Sequence, residues 1–344
     1  MKATYLFNKG EARVIEAPMA IIEKPTDAVI RTVVACICGS DLWDYWSMAP
    51  KEAGIPKGHE VIGVIEEIGA EVRGFKVGDL VVIPFVASCG FCDNCQRGHQ
   101  TSCRNIEFFG HGGGSACQAE FVRIPWVDGT AVKLPVAEGD ALIPSLLTLS
   151  DVLCTGYHAA VSAGVKPGET VAVVGDGAVG LSAVIGAKKL GAERIILISR
   201  HESRSSLGRE FGATDVVDAR DAEGIAAVRE LTKGDGADRV LEAVGTQSAI
   251  DMSIGMVRDY GMIGRVGAAQ YSNVPLDFMT VMRNIGVYGG VAPARAYIET
   301  LMPDILDGSI NPGKMFDMEV NLDSIAAGYE AMATRQAIKV LVRP

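Results

Sequence analysis

The sequence predicts an α/β protein in two parts, a mostly β unit followed by a doubly wound parallel sheet, and three observations carry that prediction. Up to about residue 150 the apolar residues fall in short β-branched runs separated by turns, without alternating helices. From Thr170 onward the order becomes strand, glycine turn, helix, repeated. At 344 residues the chain is also long for a single core, so two domains are expected.

Residues 1–13 hold no long apolar core, and no apolar run approaches the roughly 18 residues of a membrane span, so a soluble, cytoplasmic chain is expected. With 48% hydrophobic and 22% charged residues the composition is that of a globular protein. A net charge of −10 argues against a nucleic-acid partner, because binding phosphates needs a clustered excess of Lys and Arg.

In chain order, Ala28–Ile37 and Val61–Ile68 read as strands, followed by Leu80–Ile83 and by 119–124 leading into Pro125. Between the first two lie Cys38-Gly39-Ser40-Asp41 and Gly58-His59-Glu60. Thiolate sulfur and neutral imidazole nitrogen are ligands that Zn²⁺ prefers, and a catalytic zinc takes three protein ligands so that one position stays open. Asp41 and Glu60, each beside a ligand candidate, would orient the ligands or tune the metal from behind. Taken alone, such a pair also fits a buried thiol and a hydrogen-bonded core histidine.

Cys89, Cys92, Cys95 and Cys103 add four thiols within a short stretch. Two-residue gaps let successive sulfurs converge on one tetrahedral centre, and four cysteines leave no open position, which suits a structural zinc. Disulfides are the competing reading, disfavoured where thiols stay reduced. A glycine loop, His111-Gly112-Gly113-Gly114, follows, and Pro135 and Pro144 flank a change to helical spacing over 142–163, interrupted near Ser150-Asp151.

The strand 171–174 runs directly into Gly175-Asp176-Gly177-Ala178-Val179-Gly180 and a helical stretch, 181–190. Here the glycines serve a tight turn, close approach of backbone to a pyrophosphate, and close packing of helix on strand, with the helix N-terminus facing the anion. Strands at 195–198, 238–243 and 262–266 turn a weak fingerprint into a strong one. The second strand ends in Ser199-Arg200-His201, with Arg204 beyond. An NAD site usually has an acid there, whereas a 2′-phosphate needs a cation, so NADP(H) is expected over NAD(H). The alternative is that Arg200 and Arg204 form a solvated surface with Glu202.

With these residues read, the chain resembles, over essentially its whole length, the zinc-dependent alcohol dehydrogenases of the medium-chain dehydrogenase/reductase family. In pattern it is closest to bacterial NADP-dependent secondary-alcohol dehydrogenases. Gly58-His59-Glu60 with Gly63 and Gly69, the cysteine lobe, the segment 151–157 and the glycine loop 175–180 match in order. The resemblance implies a GroES-like catalytic domain at 1–152 with a structural zinc lobe at about 86–106, a Rossmann nucleotide-binding domain at 153–290, and a return to the catalytic domain at 291–344.

It further implies Asp151 as the third ligand of a catalytic zinc with Cys38 and His59, where many members have Cys; Cys154, three positions on, is the rival thiolate. Glu60 lies behind the metal or approaches it when no substrate is bound. Cys36 and Cys117 read as buried thiols, and His99, His111, His158 and His201 fall in no ligand motif. Cofactor contacts are expected from Thr155, Gly175, Gly177, Ala178, Val179, Gly180, Ser199, Arg200, Arg204, Val266 and Lys339.

The implied activity is hydride transfer between NADP(H) and an alcohol/carbonyl pair, with two zinc ions per chain. Zinc brings the pKa of bound water from about 15.7 to about 7, and an alcohol responding similarly would release its proton far more readily. Ser40 is the expected proton acceptor; relatives carry a His where this chain has Trp43, and Asp44 is the substitute considered for the onward relay. Trp43, Trp46, Phe85, Phe108, Phe109, Val291 and Ala292 imply an apolar pocket, hence secondary or aromatic alcohols. A homo-oligomer, dimer or tetramer, is expected. A polyol dehydrogenase would share every metal residue; a metal-free quinone or enone reductase is disfavoured by Cys38, His59 and Asp151. Outside the enzymes, a non-catalytic zinc and nucleotide-binding protein is the alternative.

Overall fold

β-Branched and aliphatic runs set the framework of both halves of the chain. The structure, a computed structural model, describes residues 1–110, 115–271, 273 and 276–344, so the glycine loop at 111–114, His111 included, lies outside the described residues. Two units result: Met1–Asp151 with Pro293–Pro344, and Val152–Ala292.

The first unit is built on a sheet in the order Val132–Lys133, Leu80–Ile83, Val61–Ile68, Ala28–Ile37, Lys339–Arg343, Phe316–Asn321, with Phe121–Ile124 also paired to Ala28–Ile37. The last of these is shorter than the expected 119–124, because Ala119 makes only an isolated bridge to Ala3. Ile30, Ile37, Ile62, Ile65 and Ile83 are fully buried, and each contributes about 1.5–3 kcal/mol relative to exposure. Register brings four strand ends together. Val61 pairs with both Ala35 and Ile83, and Val340 pairs with Ile37. Cys38, His59-Glu60 and Lys339 therefore emerge at one end of the sheet.

In the second unit, β1 (Thr170–Val174), β2 (Arg194–Ile198), β3 (Asp215–Val217), β4 (Ala237–Glu242), β5 (Val257–Arg265) and β6 (Gly286–Gly289) form a sheet in the order β3-β2-β1-β4-β5-β6, parallel throughout the described residues. The order reverses direction between β1 and β4, the switch point at which such sheets bind ligands beyond the strands' carboxyl ends. Helices α1 (Val152–Ala163), α2 (Ala178–Lys189) and α3 (Glu202–Phe211) belong to the same unit. The helical pattern at 142–163 resolves into Ile143–Leu147, a 3₁₀ turn at Thr148–Ser150, and α1 after Asp151. β3 and β6 escaped the sequence reading: one has three residues, the other begins and ends in glycine, and neither has a length or period that marks a strand. No described helix is long and apolar enough to cross a membrane.

Candidate functional site

At the end of the first unit's sheet, four side chains bring their polar atoms within 4.8 Å of one another: Cys38, His59, Glu60 and Asp151. Cys38 Sγ lies 3.6 Å from Asp151 Oδ2, and His59 Nε2 lies 3.4 Å from the same oxygen. Ligands at the usual zinc distances and a tetrahedral angle would be about 3.6 Å apart for sulfur and oxygen and about 3.4 Å for nitrogen and oxygen. The donor set therefore fits a zinc ion. Cys154, the rival thiol, is buried on α1 and is not among the four.

Each donor is held from behind. Gly58 allows the approach to His59 with a φ of +97°, and a Cβ there would stand 2.5 Å from the backbone nitrogen of Gln118. His59 Nδ1 faces Asp41 Oδ1 at 3.7 Å, which leaves Nε2 for the metal side. Asp41 Oδ2 accepts from the Cys38 N–H at 3.0 Å and from Gln118 Nε2 at 3.2 Å, and Tyr329 donates to Gln118 Oε1 at 3.0 Å. Ser150 fixes Asp151: its hydroxyl accepts the Val61 N–H at 3.2 Å and donates to the Ile83 carbonyl, while its own carbonyl accepts from Phe85 N–H at 3.0 Å. Neither Gln118, Tyr329 nor Ser150 was legible in the sequence, since a buried amide or hydroxyl among core residues has no spacing signature.

Burial and neighbouring charges act together on this cluster. Burial pushes the Cys38 thiol up, against the pull of His59, and Glu60 is raised by burial against the pull of Lys339. Burial opposes protonation of His59, yet Cys38 and Asp41 carry it well above its ordinary value. Lys339, expected at the cofactor, lies inside this unit with its ammonium 2.7 Å from Glu60 Oε1 and 3.4 Å from the Ile37 carbonyl. Ser40 is half-buried at the start of the helix Asp41–Ser47. Asp44 does not point to an open relay; it pairs with the ammonium of the fully buried Lys57. Phe85 stands edge-on to the His59 ring at 6.5 Å. Trp43 is half-buried and Phe109 buried, while Trp46 and Phe108 are exposed. In the second unit Val291 is exposed and Ala292 buried.

The second thiol group, Cys89, Cys92, Cys95 and Cys103, also gathers within 4.8 Å. Its sulfur separations of 3.5 Å (Cys92–Cys95 and Cys89–Cys103) and 4.0 Å (Cys92–Cys103) bracket the roughly 3.8 Å expected around one zinc. Backbone N–H groups of Cys89 and Asn105 donate to Cys103 Sγ at 3.3 Å each. The N–H groups of Arg104 and Cys95 bring the Cys92 thiol down to about 6, whereas burial and the Cys92 sulfur push Cys95 up to about 12.

The second unit offers a cradle for a dinucleotide. A Cβ on Gly180 would stand 2.0 Å from the Gly175 carbonyl, so only glycine lets α2 close onto the turn, while a Cβ on Gly177 would meet nothing within 4 Å, leaving the approach to the helix start open. No side chain caps α2 at Gly177, whose first N–H groups suit an anion. Ala178 and Val179 are half-buried in its first turn, Val266 follows β5, and Thr155 is half-buried on α1. Ser199 and Arg204 are buried at the end of β2 and in α3, and Arg200 is exposed between them. An acid does stand here, from an unexpected place: the carboxylate of Asp176, in the glycine loop, accepts from Ser199 Oγ at 2.9 Å.

Comparison with known proteins finds two family matches along the chain. Residues 24–136 match the alcohol dehydrogenase GroES-like domain and residues 178–307 the zinc-binding dehydrogenase family. A zinc-type alcohol dehydrogenase B of Aspergillus flavus is 31% identical over 350 residues, covering 100% of this chain and 81% of that protein. Among solved structures, the alcohol dehydrogenase of Thermus sp. ATN1 superposes with a TM-score of 0.91 at 30% identity, covering 100% of this chain and 99% of the other. A zinc-binding dehydrogenase of Sinorhizobium meliloti, solved bound to NADP, gives 0.82 at 26% identity, with 100% and 99% covered.

Proposed function

This chain belongs to the zinc-type alcohol dehydrogenases of the medium-chain dehydrogenase family, and on that premise we propose that it interconverts secondary or aromatic alcohols and their carbonyl partners with NADP(H) preferred over NAD(H). The observation that carries the reading is the convergence of Cys38 Sγ, His59 Nε2 and Asp151 Oδ2 at 3.4–3.6 Å, beside the aromatic edge of Phe85. In the proposed site these three residues hold the catalytic zinc, with Glu60 behind them, and Cys89, Cys92, Cys95 and Cys103 hold a second, structural zinc.

When bound, zinc acidifies and polarises the substrate oxygen and the nicotinamide exchanges the hydride. This chain's own residues orient and exclude. Asp41 keeps the His59 ring turned with Nε2 inward, Ser150 keeps Asp151 against the sheet, and Ser40 holds the proton exchanged with the substrate oxygen. Because Asp44 is paired with Lys57, the proton's onward path leaves Ser40 without it. Trp43 and Phe85 favour an apolar substituent over a polyol chain.

Arg200, exposed at the end of β2, supports the NADP(H) preference. None of the eight cysteines is in a disulfide among the described residues, which suits the reducing cytoplasm. Phe278, Met279, Val281 and Met282 are exposed beside the edge strand β6, which supports self-association through that side. A panel of secondary, aromatic, primary and polyol substrates, run with NADPH and NADH, tests the proposal. Turnover confined to polyols with NADH would replace it.

A further inference from the structure

Asp176 lies in the glycine loop, but neither the turn nor the packing of α2 requires its side chain. Its side chain is not in solvent: the residue is 8% exposed, and its carboxylate is directed at the end of β2. Oδ2 accepts from Ser199 Oγ at 2.9 Å, and Oδ1 lies 3.8 Å from Arg204 Nη1, which also donates to the Asp176 carbonyl at 3.3 Å. Ser205 Oγ in turn donates to Ser199 Oγ at 3.0 Å. The four side chains form one buried polar cluster across the ends of β1 and β2 and the first turn of α3.

If the glycine loop holds a pyrophosphate, the adenosine ribose lies against the end of β2, where an acid ordinarily accepts its 2′-hydroxyl. We propose that Asp176 supplies this acid from the loop and, with Arg204, sets the discrimination between a ribose 2′-hydroxyl and a 2′-phosphate. The inference rests on the dinucleotide reading of this unit. The carboxylate works against a phosphate twice: it already engages Arg204, and it adds a like charge next to an incoming dianion. It works for a hydroxyl, from which it can accept a hydrogen bond directly. Arg200 is the exposed cation of the pair, so the NADP(H) preference is smaller than two arginines would give, and both cofactors bind.

Calorimetric titration of the full-length, zinc-loaded protein with 2′,5′-ADP and with 5′-AMP isolates this choice from catalysis. Asp176→Asn, which keeps a hydrogen-bonding side chain but loses the charge, should raise the affinity for 2′,5′-ADP relative to 5′-AMP at least tenfold. Adding Arg204→Ala should cancel that gain. Asp176→Ser offers the same comparison should the amide disturb the loop. A ratio within twofold of wild type in both single variants, or a fall in the ratio, would overturn the inference and leave Asp176 as a prop for Arg204. Failure of wild type to bind either nucleotide, or NADP⁺ and NAD⁺ by quenching of tryptophan fluorescence, would instead overturn the dinucleotide reading itself.

Discussion

Lys339 Nζ lies 2.7 Å from Glu60 Oε1, and both side chains are 1% exposed. A strand from the far end of the chain thus delivers the positive charge that offsets a carboxylate directly behind the candidate metal ligands. Burial opposes the Lys339 charge, but Cys36 and Glu60 hold its pKa well above the ordinary value.

Replacing Lys339 by Met leaves the Glu60 carboxylate buried without its partner, a change that costs about 3–5 kcal/mol when one member of a buried pair is removed. Urea unfolding should show that loss, and Glu60→Gln added to Lys339→Met should recover part of it. A single-variant loss below about 1 kcal/mol would mean that the pair is not what holds this strand end.

Metal analysis of protein purified without chelator should approach two zinc ions per chain. Cys92→Ser should lose one of them and lower the unfolding temperature, because the lobe's four sulfurs otherwise lack a centre to bind. A wild type carrying a single zinc with full activity would remove the lobe's metal from this account.

Asp151→Ala should lose the catalytic zinc and most turnover, since one of three converging donors is gone. Cys154→Ser should keep both, at a stability cost of about 1–3 kcal/mol if the buried hydroxyl finds no partner. The reverse pattern would make Cys154 the ligand.

Arg200→Ala should raise the dissociation constant for NADPH about tenfold, as one exposed charge-assisted contact allows. It should leave NADH binding nearly unchanged and do little to turnover at saturation. Equal weakening of both cofactors would show that Arg200 does not face a 2′-phosphate.

The fold was legible where length, period and punctuation agree: long β-branched runs such as Ala28–Ile37, and a glycine turn between β1 and α2. It was illegible in β3 and β6, which draw their strand character from neighbours rather than from their own residues. Cys38, His59 and the four-cysteine lobe stood out because ligand chemistry restricts residue type and spacing together. Asp151 needed a resemblance, since one Asp among 42 acidic residues carries no signal until Ser150 pins it to the sheet. The inward turn of Lys339 and Asp176 had no signature for a shared reason: a charged side chain turned inward looks, in sequence, like any other.

The pairing of Lys339–Arg343 with Ala28–Ile37 also dictates an order of assembly. Lys339 and Ile37 are 302 residues apart, and the contiguous unit Val152–Ala292 intervenes. Contacts of such separation form late, because the intervening chain must lose its freedom before they gain anything. The intervening unit, whose strand pairings span far shorter separations, is free to fold first, while the Ala35–Ile37 end of Ala28–Ile37 waits without its partner and prone to wrong ones. In pulse-labelled hydrogen exchange during refolding, amides of β1 and β4 should gain protection before those of Val340 and Leu341. Simultaneous protection would mean that the two units fold as one. The charge that offsets Glu60 behind the candidate metal site is therefore the last part of that site to be set, and a chain stalled before this strand docks would carry a half-built first unit beside a finished second one.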